Sequence, residues 1–141
     1  MAYWLIKSEP DEFSWDDLVA TKARGEPWSG VRNHQAKNNL MAMKVGDRAF
    51  FYHSKTGLEI VGIAEVKRTA YPDPMAPSSS PWMACDFIAI EPLPSPVPLK
   101  VIKKDPALAE MVLVKNARLS VQPVTDEEWA HICELGAPTE T

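Results

Sequence analysis

The chain has 141 residues, a formal net charge of −4 and an apolar fraction of 45%, which suits one domain folding on a core without disulfides or metal and excludes disorder over most of its length. The acidic balance argues against a sequence-blind coat protein for nucleic acid, and no segment approaches the ~20 apolar residues of a bilayer span. The N-terminus, Met1-Ala2-Tyr3-Trp4-Leu5-Ile6-Lys7, lacks the charged lead and long apolar run of a secretion signal, so the expectation is a cytoplasmic protein with Cys85 and Cys133 as free thiols.

Tyr3 to Lys7 reads as a short apolar strand, ended by Lys7-Ser8-Glu9-Pro10 because proline cannot donate to a ladder. Ser14 with Asp17 three residues on is a capping-box variant that opens a helix to about Ala23, and Gly25 and Pro27 break it. A loop around Trp28 follows. Asn33 then caps a second helix running to about Met43. Arg48 to Ser54 is a strand, and Lys55-Thr56-Gly57 turns the chain into a second, Glu59 to Ala70. Gly62 inside that second strand marks a bulge or a close backbone approach. Residues 71–81, rich in proline and serine, form a long loop. Trp82 to Glu91 is a third central strand, and the spaced prolines 92, 94, 96 and 98 read as a connector. Leu99 to Met111 gives one or two short helices interrupted by Pro106, and Arg118 to Val124 a last strand. Thr125 and Glu128 box the start of a final helix that ends at Gly136, with a frayed tail over the last five residues. Strands joined by short connections with helices outside predict a single-domain α+β fold built on a small mixed barrel.

Charge is unevenly spread. Residues 20–70 carry nine Lys/Arg against four Asp/Glu, a local excess of five positive charges that leaves −9 for the remainder. A locally basic surface on an acidic chain suits contact with a few phosphates. The three histidines and two cysteines show no metal-ligand spacing. No glycine-rich phosphate loop and no Gly-x-Ser-x-Gly elbow is present. His53 and Ser54 are adjacent along a strand and point to opposite faces, so a structural histidine is the default. Paired carboxylates such as Asp16-Asp17 sit at helix starts, where they favour the dipole.

Recognition chemistry accumulates instead. Trp28-Ser29-Gly30-Val31-Arg32-Asn33 puts a flat ring, a hydroxyl, an amide and a cation in one stretch, which is what holding a planar polar ligand attached to phosphate requires. Aromatics mostly fill cores, so the competing reading of Trp28 is a packing residue. Lys7-Ser8, Tyr52-His53-Ser54, Trp82 and Arg118 also fall near predicted element ends, where a rigid scaffold carries binding groups.

The motifs Trp4-Leu5-Ile6-Lys7-Ser8-Glu9-Pro10, Trp28 to Asn33, Val45-Gly46-Asp47, Phe51-Tyr52-His53-Ser54, Val61 to Val66, Tyr71-Pro72-Asp73 and Arg118 to Val124 run nearly end to end. With them the chain resembles the bacterial members of the EVE domain family, close to the PUA, ASCH and YTH domains. The resemblance implies a PUA-like mixed β-barrel of five to six strands with peripheral helices. It implies a non-catalytic reader, without cofactor or metal and monomeric, of a modified base in nucleic acid. Methylated or hydroxymethylated cytosine, in DNA or RNA, is the base it points to. By likeness to the aromatic cage of YTH domains, Trp28 becomes the stacking wall and Ser8 and Asn33 read base edges. Ser29, Tyr52, His53, Ser54 and Trp82 line the remaining walls, and Lys7, Arg32 and Arg118 meet phosphate. Ser29 departs from the Asp that members often carry after this Trp. Two alternatives stay open: a small RNA-cleaving enzyme of ASCH type using Lys7, Tyr52 or His53 as acid–base groups, and a module for a small non-nucleic ligand.

Overall fold

A computed structural model of the chain describes residues 1–137. Its first strand, β1 (Tyr3–Ser8), is apolar on both faces, sending Trp4 and Ile6 to one core and Leu5 to the other. A strand with two apolar faces needs cover on both sides, and three layers result. Helices α1 (Trp15–Ala20) and α2 (His34–Ala42) cover the Trp4 side with Trp15, Leu18, Ala36 and Leu40. Helices α3 (Leu99–Lys104), α4 (Val112–Lys115) and α5 (Asp126–Leu135) cover the other side with Ile102, Leu113, Trp129 and Ile132.

Between them lies a six-stranded mixed sheet. Its remaining strands are β2 (Glu26–Pro27), β3 (Arg48–His53), β4 (Glu59–Pro72), β5 (Met83–Pro98) and β6 (Val121–Val124), in the order β2-β5-β4-β3-β1-β6. Among the described residues only β1 and β3 run parallel; β3–β4 is the antiparallel hairpin that the sequence predicts. The α+β class stands, but the expected barrel does not close. Its edges are the two-residue β2 and the four-residue β6, each carrying a proline, and proline withholds a ladder donor from any further strand.

The caps fall where the sequence puts them. Ser14 and Asp17 form a reciprocal box at α1, Asn33 Oδ1 accepts the Ala36 N–H at 2.9 Å, and Thr125 and Glu128 box α5. Both readings of Gly62 hold: the β3–β4 register shifts beside it, and a Cβ there would stand 2.6 Å from the Trp15 ring. The proline-spaced stretch is strand, not connector. Its period of two keeps Pro92, Pro94 and Pro96 on the outside and buries Leu93 and Val97. β2 reaches only Phe87 and Asp86, so this half of β5 is an edge, where prolines are tolerated. Cys85 and Cys133 are free. The tail expected to fray lies, from residue 138 on, outside the described residues.

Candidate functional site

Because β1 and β3 are parallel neighbours, their C-terminal ends coincide, with Ser8 opposite His53. The Ser54 N–H donates to the Ser8 carbonyl at 2.9 Å, and the Lys7 N–H donates to the Ser120 carbonyl at 3.1 Å. The end of β1 is thus clasped from both sides. Beyond it opens a cavity of about 630 Å³, within the usual range of small-ligand sites. Its walls come from four places: Lys7, Ser8, Glu9, Glu12 and Phe13 at and beyond the end of β1; Glu26 to Gly30 around β2; Ser54 after β3; and Ala117, Arg118 and Ser120 before β6.

Trp28 is 8% exposed, and Phe13, Phe51 and Phe87 stand nearly perpendicular to it at centroid distances of 6.1, 5.7 and 5.6 Å. The bland reading of this residue is therefore half right: the indole belongs to the core, and its uncovered part is cavity wall. The Trp28 backbone N–H donates to the Cys85 carbonyl at 2.7 Å, extending the β2–β5 pairing. Gly25 lets β2 come this close, since a Cβ there would meet the Phe87 carbonyl oxygen at 2.6 Å. The following loop is pinned by Asp73, 3% exposed, which accepts from the Gly30 N–H at 2.8 Å, the Met75 N–H at 2.7 Å and Arg32 Nη1 at 2.9 Å. Burial pushes the Asp73 carboxyl up, but those donors outweigh it and hold it below the usual carboxylate range.

Of the residues named from the sequence, Lys7, Ser8, Trp28, Ser29, Ser54 and Arg118 meet at this cavity. Five do not. Arg32 is paired with Asp73 and lies over the Trp82 ring at 5.7 Å. Trp82 packs beside His34, and the Asn33 side chain is spent on capping α2. Tyr52, 2% exposed, points into the opposite core beneath the Lys7 ammonium. His53 Nε2 accepts the Trp15 N–H at the start of α1 at 3.1 Å, and burial lowers its pKa against the pull of Glu59 and Asp16. The acid–base set of Lys7, Tyr52 and His53 is therefore not assembled around one space.

Within the cavity the donors and acceptors are partly committed. Lys7 Nζ donates to the Ala117 carbonyl, and burial lowers the pKa of its ammonium. The Ser8 hydroxyl donates to the Phe13 carbonyl, which leaves its lone pairs to accept. The basic excess of residues 20–70 does not gather here: Arg32 and Arg48 are ion-paired, Lys67 donates to the Ala23 and Arg24 carbonyls, and Arg68 lies over Tyr71. Instead three carboxylates, Glu9, Glu12 and Glu26, line the cavity together with Lys7 and Arg118. The sequence reading missed all three. Glu26 is the most informative, because its position two residues before Trp28 on an extended segment was signal enough to put both on one wall. Burial raises its pKa, Arg24 lowers it and Asp86 raises it further.

A six-stranded mixed sheet covered by helices on both faces, with a polar-rimmed aromatic cavity off the end of its parallel pair, is an α+β fold, and the EVE domain profile matches residues 2–135. The chain belongs to the EVE domain family. It is 36% identical to mouse thymocyte nuclear protein 1 over 94% of this chain and 73% of that one. A crystal structure of a protein from Agrobacterium tumefaciens matches at a TM-score of 0.96 with 48% identity, covering 100% of this chain and 97% of that one. Human THYN1, crystallised with DNA containing 5-methylcytosine, matches at 0.90 with 33% identity over 99% and 100% of the two chains. The YTH domain of Zygosaccharomyces rouxii MRB1, solved with N6-methyladenosine RNA, shares the fold at 0.61 with 17% identity over 99% and 87%.

Proposed function

We propose that the protein is a non-catalytic reader of a modified base in DNA, with 5-methylcytosine the first candidate, and that the base enters the Trp28 cavity. The observation that carries this is an indole held rigid by three rings on the wall of a cavity whose rim holds two cations. The complex of human THYN1 with 5-methylcytosine DNA supports the choice of ligand. Stacking on an indole contributes roughly 1–3 kcal/mol per base, comparable to the few kcal/mol needed to unstack that base from its strand. The rest must come from edges and phosphate. Cytosine offers an exocyclic amine as donor, and the Glu26 carboxylate accepts it. The free lone pairs of Ser8 accept as well, while Lys7 and Arg118 take the flanking phosphates.

One methyl buried in a dry wall adds only about 0.8 kcal/mol, so the preference for 5-methylcytosine over cytosine is about four-fold. The test is fluorescence anisotropy with labelled oligonucleotides bearing cytosine, 5-methylcytosine or 5-hydroxymethylcytosine, for wild type and Glu26→Gln. The expected result is tighter binding of a modified form and a loss with Glu26→Gln. Equal affinity for all three forms in wild type counts decisively against the reading.

A further inference from the structure

A second groove, of about 470 Å³, opens between the β3–β4 turn and the start of α3. Lys55, Lys100 and Lys103 line it above a floor of Leu58, Pro98 and Leu99, and among the described residues no carboxylate lines it. Lys100 and Lys103 are three apart on α3 and so share a helix face. The two openings are neighbours in the chain: Ser54 lines the Trp28 cavity and Lys55, the next residue, lines this groove. The turn between them is strained. Lys55 at φ 68° and Leu58 at φ 42° hold left-handed conformations that suit glycine, and Leu58 is 43% exposed despite being apolar. The Leu99 N–H, donating to the Leu58 carbonyl at 2.8 Å, holds that geometry and ties the turn to α3.

We infer that this lysine groove receives the sugar-phosphate backbone of the same DNA strand whose base occupies the Trp28 cavity, so that one track runs from Arg118 and Lys7 past Ser54 to Lys55, Lys100 and Lys103. This rests on the reading proposed above. Charge complementarity selects the occupant: three cations without a lining carboxylate suit a chain of phosphates. The apolar floor suits the sugars between them.

Released counterions make such contacts visible. Each single-strand phosphate contact adds about −0.7 to the slope of log K against log salt. The triple variant Lys55→Gln/Lys100→Gln/Lys103→Gln is therefore expected to flatten the slope for a 5-methylcytosine dodecamer by about 2. Its affinity at low salt should fall by between 10- and 100-fold. Affinity for a 5-methylcytosine trinucleotide and the ratio of methylated to plain cytosine should stay at wild-type values. A control triple, Lys22→Gln/Lys37→Gln/Lys44→Gln, makes the same charge change at sites that do not line the groove. Equal flattening by the two triples overturns the inference, as does an unchanged slope in the first. An RNA dodecamer that loses slope while the DNA does not overturns the choice of occupant. These outcomes are separable from failure of the base-reading proposal, which shows as no preference among cytosine forms in the wild type.

Discussion

Removing an indole that three aromatic rings hold at right angles opens a hole in the core before it touches any ligand. Trp28→Ala is expected to cost about 3–5 kcal/mol of stability, seen as a fall in the urea midpoint, so lost binding in that variant says little about stacking. Glu26 gives a cleaner experiment, since it stands at the cavity wall and belongs to neither core cluster. Losing a charged acceptor costs about 1.5–3 kcal/mol, so Glu26→Gln should weaken cytosine-containing DNA between 10- and 100-fold with little change in melting temperature. The pH dependence has a definite sign. Glu26 is a charged acceptor through both oxygens only when ionised, and burial raises its pKa above the ordinary value. Binding should therefore weaken on acidification at a higher pH than an ordinary glutamate dictates, and Glu26→Gln should abolish that part of the profile in anisotropy titrations.

The loop from Trp28 to Arg32 owes its shape to one buried carboxylate on another segment. Asp73→Asn removes the charge that three donors address, and is expected to destabilise the protein by roughly 2–3 kcal/mol. Faster amide exchange at Gly30 would report the loosened loop. Gly62→Ala puts a methyl against the Trp15 ring and should cost about 1–3 kcal/mol through overpacking, measured as a lowered melting temperature. The caps and the β3–β4 hairpin were legible in the sequence because each rests on local chemistry: Ser14 with Asp17, Asn33, Thr125 with Glu128. The second half of β5 was not. Proline reads as a strand breaker, and only the sheet order reveals that residues 92–98 lie on an edge where its missing donor does little harm. The site divides the same way. Lys7, Ser8 and Trp28 stood out as chemistry at element ends, whereas the Asp73 partner of Arg32 and the inward turn of Tyr52 depend on contacts or facing that a linear reading cannot supply.

Acid should lower the stability of the molecule in two steps. His53 has a lowered pKa, so the stability it contributes is present above about 6.5, its unfolded value, and is lost as pH falls through the folded one. Asp47 is pushed up by burial but held below its ordinary value by the Lys44 N–H, the Trp4 indole and the Ala2 N–H, and Asp73 behaves alike. Their contribution is present above about 3.9 and lost below it. Melting temperatures from pH 8 to pH 3 should show both declines. His53→Phe should start lower at neutral pH, having lost the acceptor for the Trp15 N–H, and lack the first.

One feature of the sheet reaches into how the protein is made. β1 pairs with β3 on one side and β6 on the other, and Lys7 and Arg118 line the same cavity. On the ribosome the earliest strand must wait, half-partnered, until the segment around Val121 emerges, and pairing across such a separation is intrinsically slow. The cavity between Lys7 and Arg118 is then completed only when β1 and β6, far apart in sequence, have joined.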